Sequence, residues 1–318
     1  MTVLGAGYEE AWVCAGAVRT HYLQAAPKGA DGPAVLLLHG RGPGVSAETE
    51  WHRLIPLLSA AGYRVFAPDQ LGHGYTETQA HAWPRQGHQS MVDHNRAFLD
   101  ALGLDSVLVL GNSMGAYLAA KLALDDPARI RGLALIASLT LAAAMEIGPP
   151  PGAQALPDAA WTRDGIRRAL LLQCHNPAAV TDALVEARFA ALSRDGVRQA
   201  NAAFAAFQSR IAGDPELLQR FLLRRRLPHL STPMLALWGE QDRIASPAIG
   251  RQLQALLPGV PFHFLPDAGH LCHLEQALQV AARLLPFFHD LAPSLAPRPS
   301  ASPSVVLALA EPPNRPTT

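Results

Sequence analysis

One five-residue stretch limits the folds open to this chain more than any other. Gly111-Asn112-Ser113-Met114-Gly115 follows the apolar run Ser106-Val107-Leu108-Val109-Leu110 and precedes a helical pattern from Ala116 to Leu124. A strand that passes into a helix within so few residues must turn at very tight backbone angles. The central serine is then held with its hydroxyl pointing outward. The residues two before and two after it must lack side chains so that strand and helix can close up, and both are glycine. A glycine-bounded turn with an incidental serine would read the same in five letters. The strand before and the helix after favour the strained turn.

The segments around it follow a strand–helix rhythm. Val18, Thr20 and Tyr22 alternate as in an antiparallel strand. Ala34-Val35-Leu36-Leu37-Leu38 is continuously apolar, as a strand buried on both faces must be. It runs into His39-Gly40-Arg41-Gly42-Pro43-Gly44, a loop able to turn backbone N–H groups toward a ligand, with no Gly-Lys-Ser/Thr to make it a phosphate loop. Helical spacing over 51–61, a strand over 63–67, a helix over 88–102 and a strand over 129–137 continue the pattern. The apolar stretch from Gly132 to Met145 is too short for a membrane span and reads as a buried strand followed by a chain exit. Gly148-Pro149-Pro150-Pro151-Gly152 is a hinge. From Trp161 to Leu227 the periodicity is helical throughout, with helices predicted over 165–173, 180–193, 197–208 and 215–225. Strands then return at 234–239 and 261–265, with helices at 247–257 and 271–289. The tail is rich in proline, serine and alanine and reads as disordered.

This order predicts an α/β fold: a mostly parallel sheet with helices on both faces and an inserted helical cap. Residues 1–139 and 230–290 would form the core, 140–229 the cap and 291–318 the tail. With 318 residues, 49% of them hydrophobic, a large core is available. Zero formal net charge leaves no electrostatic footprint for nucleic acid or an anionic membrane. Cys14, Cys174 and Cys272 are odd in number and scattered, which suits a reducing, cytoplasmic setting. The first residues lack a basic region followed by a long apolar one, so no signal peptide is expected.

A serine hydroxyl needs a base to take its proton and a carboxylate to orient that base. On a strand–turn–helix elbow these follow in the order serine, acid, histidine. Downstream, Gly239-Glu240-Gln241-Asp242-Arg243 follows one predicted strand and Pro266-Asp267-Ala268-Gly269-His270 follows the last. Both loops lie at the carboxyl edge of the sheet, where ligands of such folds bind. The assignment is Ser113 as nucleophile, His270 as general base and acid, and Asp242 as orienting carboxylate. Glu240 and Asp267 compete for the third role. A developing oxyanion needs backbone donors. Met114, next after the nucleophile, supplies one, and Arg41 in the glycine-rich loop the other. His270, Cys272 and His273 fall short of a metal set, so neither metal nor other cofactor is expected. Arg224-Arg225-Arg226 reads as a solvated helix face.

Together these pieces resemble the α/β-hydrolase fold family over roughly residues 15 to 290. The subgroup they resemble is the meta-cleavage product hydrolases, which cleave C–C bonds in ring-opened aromatic catabolites. The resemblance lies in HGRGPG at 39–44, GNSMG at 111–115, WGEQDR at 238–243, DAGH at 267–270 and TDALVEARF at 181–189. It implies that Arg188 grips a substrate carboxylate, and that Asn112, Gly40 and Gly42 line the site. Read from residues alone, Arg188 fits an exposed helix position beside Asp182 and Glu186. The chain departs from the pattern at Arg41, where the subgroup has a third glycine. It departs again at Thr49 or Glu50, where the subgroup has an asparagine. The third departure is Leu271, where the subgroup has a tryptophan; these positions face the substrate.

The expected partner is a small carboxylate-bearing molecule, with homo-oligomerisation open. The leading function is hydrolysis of a C–C bond beside a carbonyl in an acidic diketone. The alternatives are a carboxylesterase with the same three residues, a natural-product enzyme performing cyclisation or decarboxylation, and a non-catalytic binder.

Overall fold

A computed structural model describes residues 4–27, 32–148 and 158–291. The predicted tail and most of the proline hinge lie outside these residues. The chain starts with a hairpin of β1 (Glu9–Ala15) and β2 (Val18–Ala25). It continues through β3 (Ala34–Leu38), α1 (Ala47–Trp51), α2 (Ile55–Ala60), β4 (Arg64–Pro68) and α3 (His88–Ala101). Next come β5 (Val107–Asn112), α4 (Met114–Asp125), β6 (Ile130–Ile136) and α5 (Leu139–Ala144). A helical stretch follows: α6 (Arg163–Gln173), α7 (Asp182–Leu192), α8 (Val197–Gln208) and α9 (Pro215–Phe221). The chain then returns to the sheet with β7 (Met234–Gly239), α10 (Pro247–Leu256) and β8 (Phe262–Leu265), and closes with α11 (Cys272–Glu275) and α12 (Ala277–Leu291).

The described strands form one eight-stranded sheet in the order β1-β2-β4-β3-β5-β6-β7-β8. Only β2 runs against the rest; from β4 to β8 every pairing is parallel. The central strands β3, β5 and β7 are buried along their whole length, as their unbroken apolar runs require. Parallel pairing brings the carboxyl ends of β3, β5, β7 and β8 to one edge, so that edge collects the loops at 39–44, 113, 240–245 and 266–270.

The helices differ from the periodic reading in four places. The one expected over 51–61 is two short helices, α1 beginning at Ala47 on a Ser46 capping box and α2 restarting with Pro56 in its first turn. The chain exit expected after β6 is the helix α5, capped by Ser138. The closing helix is broken at Gln276, which caps α11 with a non-helical backbone, φ −129 and ψ 51. Arg224–Arg226 lie in a turn rather than on a helix, and Arg226 donates to Leu124 O and Asp125.

Candidate active site

Steric crowding at the elbow is severe. Ser113 sits at φ 53 and ψ −119, a region that disfavours any residue with a Cβ. A Cβ on Gly111 would lie 2.2 Å from Gly115 O, and one on Gly115 would lie 1.9 Å from Leu38 O. Helix α4 therefore presses on the ends of β5 and β3, and only glycine permits it. Asn112 and Met114 are buried, whereas Ser113 is partly exposed. The Ser113 carbonyl accepts from Ser138 Oγ at 2.6 Å, and its N–H donates to Ile136 O.

Asp242 and His270 meet although 28 residues separate them. His270 Nδ1 lies 2.8 Å from Asp242 Oδ2, and both side chains are buried. Nδ1 facing a carboxylate carries the proton and donates it, which leaves Nε2 as an acceptor. The other oxygen of Asp242 accepts from Ile244 N and Ala245 N at 2.7 and 2.8 Å. The two loops are locked together by Gln241 N to Ala268 O and Ala268 N to Gln241 Oε1. A Cβ on Gly239 would lie 2.2 Å from Gly269 O, so this contact also demands glycine. Neither rival carboxylate takes Asp242's place: Glu240 faces Arg251 at the surface, and Asp267 is exposed.

The loop after β3 abuts the serine. A Cβ on Gly40 would come within 3.1 Å of Ser113 Cβ. His39 fixes this loop: its Nε2 accepts from Gln70 N at 2.9 Å, so Nδ1 carries the proton and donates to Gly40 O at 2.7 Å. Burial lowers the His39 pKa despite the nearby Asp69 carboxylate, in keeping with that neutral tautomer. Gly44, at φ 65, lets the loop touch the backbone of α7, where a Cβ would meet Arg188 O at 1.9 Å. Gly42 lies beside the Arg188 guanidinium and the Gln173 amide. Arg41, between these glycines, stacks its guanidinium over Phe204 at 4.9 Å, and its Nε and Nη2 are buried without a hydrogen-bond partner among the described residues.

Arg188 is buried rather than exposed, and Asp182 and Glu186 pair with Arg167 and Arg163 instead. Its Nη2 donates to Glu50 Oε1 at 2.7 Å, while Nε and Nη1 have no partner among the described residues. Glu50 Oε2 also lies 3.2 Å from His273 Nε2. The Asn112 amide, oriented by its hydrogen-bonding neighbours, donates to the same Oε2 at 3.2 Å and accepts from Ser113 N at 3.3 Å. Burial opposes ionisation of Glu50, but its hydrogen bond to His273 and the charges of His273 and Arg188 outweigh it and bring its pKa down to about 2. The departure at position 50 thus places a buried carboxylate on the residue implied to hold the substrate's own. Leu271 packs into an apolar cluster with Val180, Leu184 and Leu192.

Two contributors were missed in the sequence. Glu275 accepts from Gly269 N and from Asn176 N, both at 2.7 Å, and so ties the histidine loop to the helical stretch. Glu50 stood out only as a departure from a pattern, because nothing in AETEW, with Glu48 and Glu50 two residues apart, shows that this helix is buried throughout. Among the described residues no cluster of His, Cys, Asp and Glu suited to a metal ion forms, and no helix is long and apolar enough to cross a membrane.

A family model for the alpha/beta hydrolase fold matches residues 33–277. The chain belongs to the α/β-hydrolase fold family and is a serine hydrolase of that fold. Its relatives narrow the resemblance to the meta-cleavage product hydrolases. It is 31% identical over 253 residues to the 2-hydroxymuconate semialdehyde hydrolase of Pseudomonas sp. (strain CF600), covering 78% of this chain and 84% of that one. It is 29% identical over 267 residues to the 2-hydroxy-6-oxononadienedioate/2-hydroxy-6-oxononatrienedioate hydrolase of Paraburkholderia xenovorans (strain LB400), covering 82% and 88%. Among solved structures, the 2-hydroxy-6-oxo-6-phenylhexa-2,4-dienoate hydrolase of Rhodococcus sp. strain RHA1 superposes with a TM-score of 0.72 at 25% identity, over 89% of this chain and 99% of that one.

Proposed function

We propose that this chain hydrolyses a C–C bond next to a carbonyl in an acidic, ring-fission-type diketone. The observation that carries the reading is the buried Asp242–His270 pair on the same sheet edge as the strained Ser113, in a chain whose relatives are named for such substrates. The dienol form first becomes the ketone. His270 Nε2 takes a proton from Ser113 Oγ, or from a water, and the freed oxygen attacks the carbonyl carbon. The N–H groups of Met114 and Arg41 receive the charge that gathers on the carbonyl oxygen. As the C–C bond breaks, its electron pair leaves with the enolate fragment, which takes the proton from His270. On the serine route the acyl fragment is left on Ser113 Oγ, and a water gives its hydroxyl to the acyl carbon and its proton, through His270, back to the departing Ser113 oxygen; on the water route the acid is released directly. The helical stretch at 140–229 serves as the cap over this edge.

A second reading, a carboxylesterase using the same three residues, draws support from Glu50, which matches the charge of Arg188. The two separate in one assay. Purified protein is offered a coloured ring-fission dienoate and, in parallel, a nitrophenyl ester. The expected result is loss of the dienol colour, slowed at least about 10³-fold by Ser113→Ala. Rapid ester turnover with no loss of colour overturns the C–C reading in favour of the esterase.

A further inference from the structure

Two arginines border the Ser113 edge, and their surroundings differ in charge. Arg188 has a carboxylate 2.7 Å away inside the protein, and that carboxylate is itself held by His273. A substrate carboxylate brought to Arg188 would meet a charge already matched and would lie next to Glu50, a like charge in a dry site. Among the described residues Arg41 has no such carboxylate. Its charged and titratable neighbours are His73 and His88, and burial foremost, with Arg41's own charge contributing, holds both imidazoles neutral to about pH 3. Its Nε and Nη2 are out of water without a partner among the described residues, and its Cζ lies over the Phe204 ring. Burial lowers its pKa to about 10, so it stays cationic at neutral pH. A buried guanidinium with edge N–H groups to spare is matched by a planar, bidentate oxyanion.

Position completes the case. Arg41 follows Gly40, the residue that abuts Ser113, and it lies in the loop that leaves β3, the strand next to the elbow strand, where Leu38 pairs with Gly111. Phe204 comes from α8, so the guanidinium is clamped between the sheet edge and the helical stretch. We infer that Arg41, and not the Glu50-matched Arg188, receives the carboxylate of the substrate. This rests on the reading of an acidic substrate at the Ser113 site. It replaces the expectation that Arg188 has that role, and it makes Arg41 the residue that selects for acids.

The test measures binding, so that it stands whether or not C–C cleavage is observed. Benzoate and its uncharged analogue benzamide are titrated by calorimetry into the Ser113→Ala protein. The comparison variants add Arg41→Gln, Arg41→Lys, or Arg188→Gln together with Glu50→Gln. The last removes both charges of the buried pair at once and so avoids stranding either. Arg41→Gln retains the backbone N–H at this position. The expected result is a preference for benzoate over benzamide that falls about tenfold or more in Arg41→Gln. Arg41→Lys should recover part of it, and the double variant should keep it. A preference unchanged in Arg41→Gln, one lost in the double variant instead, or no benzoate preference in the parent protein overturns the assignment. Turnover of a ring-fission dienoate in the unsubstituted enzyme reports separately on the C–C reading.

Discussion

At the scale of single residues, the site is a balance of buried charges. Glu50 sits within hydrogen-bond reach of Arg188, His273 and Asn112, and burial alone would raise its pKa. Glu50→Gln keeps the shape and removes the charge, leaving Arg188 uncompensated. Breaking a buried pair from one side costs about 3–5 kcal/mol, so urea unfolding at pH 7 should show a loss of that order. The dependence on pH has a definite sign. The folded pKa of Glu50 is depressed from 4.5 to about 2, so its stabilisation is complete above the unfolded value and is lost as pH falls through the folded one. The gap between parent and variant should therefore be constant from pH 7 to about 5 and narrow steadily below that, since a protonated glutamic acid and glutamine are alike there. A gap that stays constant down to pH 3 contradicts an ionised Glu50. The pairing itself was not legible in the sequence, where Glu50 and Arg188 are 138 residues apart, Arg188 fits an exposed helix position and Glu50 stands out only as a departure from a pattern.

At the scale of elements, close approach sets which positions tolerate change. Helix α4 reaches β3 only because Gly115 leaves its space empty, and the obstructing atom is the Leu38 carbonyl rather than a side chain that could swing away. Overpacking of this kind costs about 1–3 kcal/mol or more. Gly115→Ala should lose at least that much in chemical denaturation and lower kcat by displacing Ser113. Gly213→Ala is the contrast: nothing lies within 4 Å of an added Cβ, and its backbone is not left-handed. It should change stability by no more than about 1 kcal/mol, on the stabilising side. Equal losses in both would show that the elbow is less crowded than its geometry indicates. Elements with strong periodicity or unbroken apolar runs were legible in the sequence: β3, β5, β7, α3 and α4 fall where expected. The order of Ser113, Asp242 and His270 was also legible, because each follows a recognisable strand. Strand β1 was not, since Glu9 and Glu10 open it and most of its positions are exposed or half-buried on an edge hairpin. The breaks at 52–54 and at Gln276 were hidden because apolar spacing runs across them.

At the scale of the whole molecule, the loops that carry Asp242 and His270 and the helical stretch complete one another's hydrogen bonding. A helix ends with carbonyls that its own backbone cannot satisfy. At the end of α6, Gln173 O accepts from His270 N at 2.7 Å, and Arg243 Nη2 donates to Leu171 O and Cys174 O at 2.6 and 2.8 Å. The loop that carries Asp242 and the loop that carries His270 thus cap the same helix, one by a side chain and the other by backbone. Leu271 and Leu274 add apolar contact to Val180, Leu184 and Val185. Motion of α6 away from the sheet edge must therefore loosen the grip on His270. Arg243 is exposed, so Arg243→Ala should cost little global stability, about 1 kcal/mol at most. Its effect should be local. In hydrogen exchange, the His270 amide and those at the end of α6 should open together and exchange about tenfold faster, while the amides of β5 stay protected. Turnover should fall by a similar factor for acidic and neutral substrates alike, because the change acts on the histidine and not on a charge that meets the substrate. That separates it from Arg41, whose loss is expected to act on acids alone. Faster exchange in α6 with an unchanged His270 amide would show that the helical stretch moves without the histidine loop, and would remove the link between its motion and turnover.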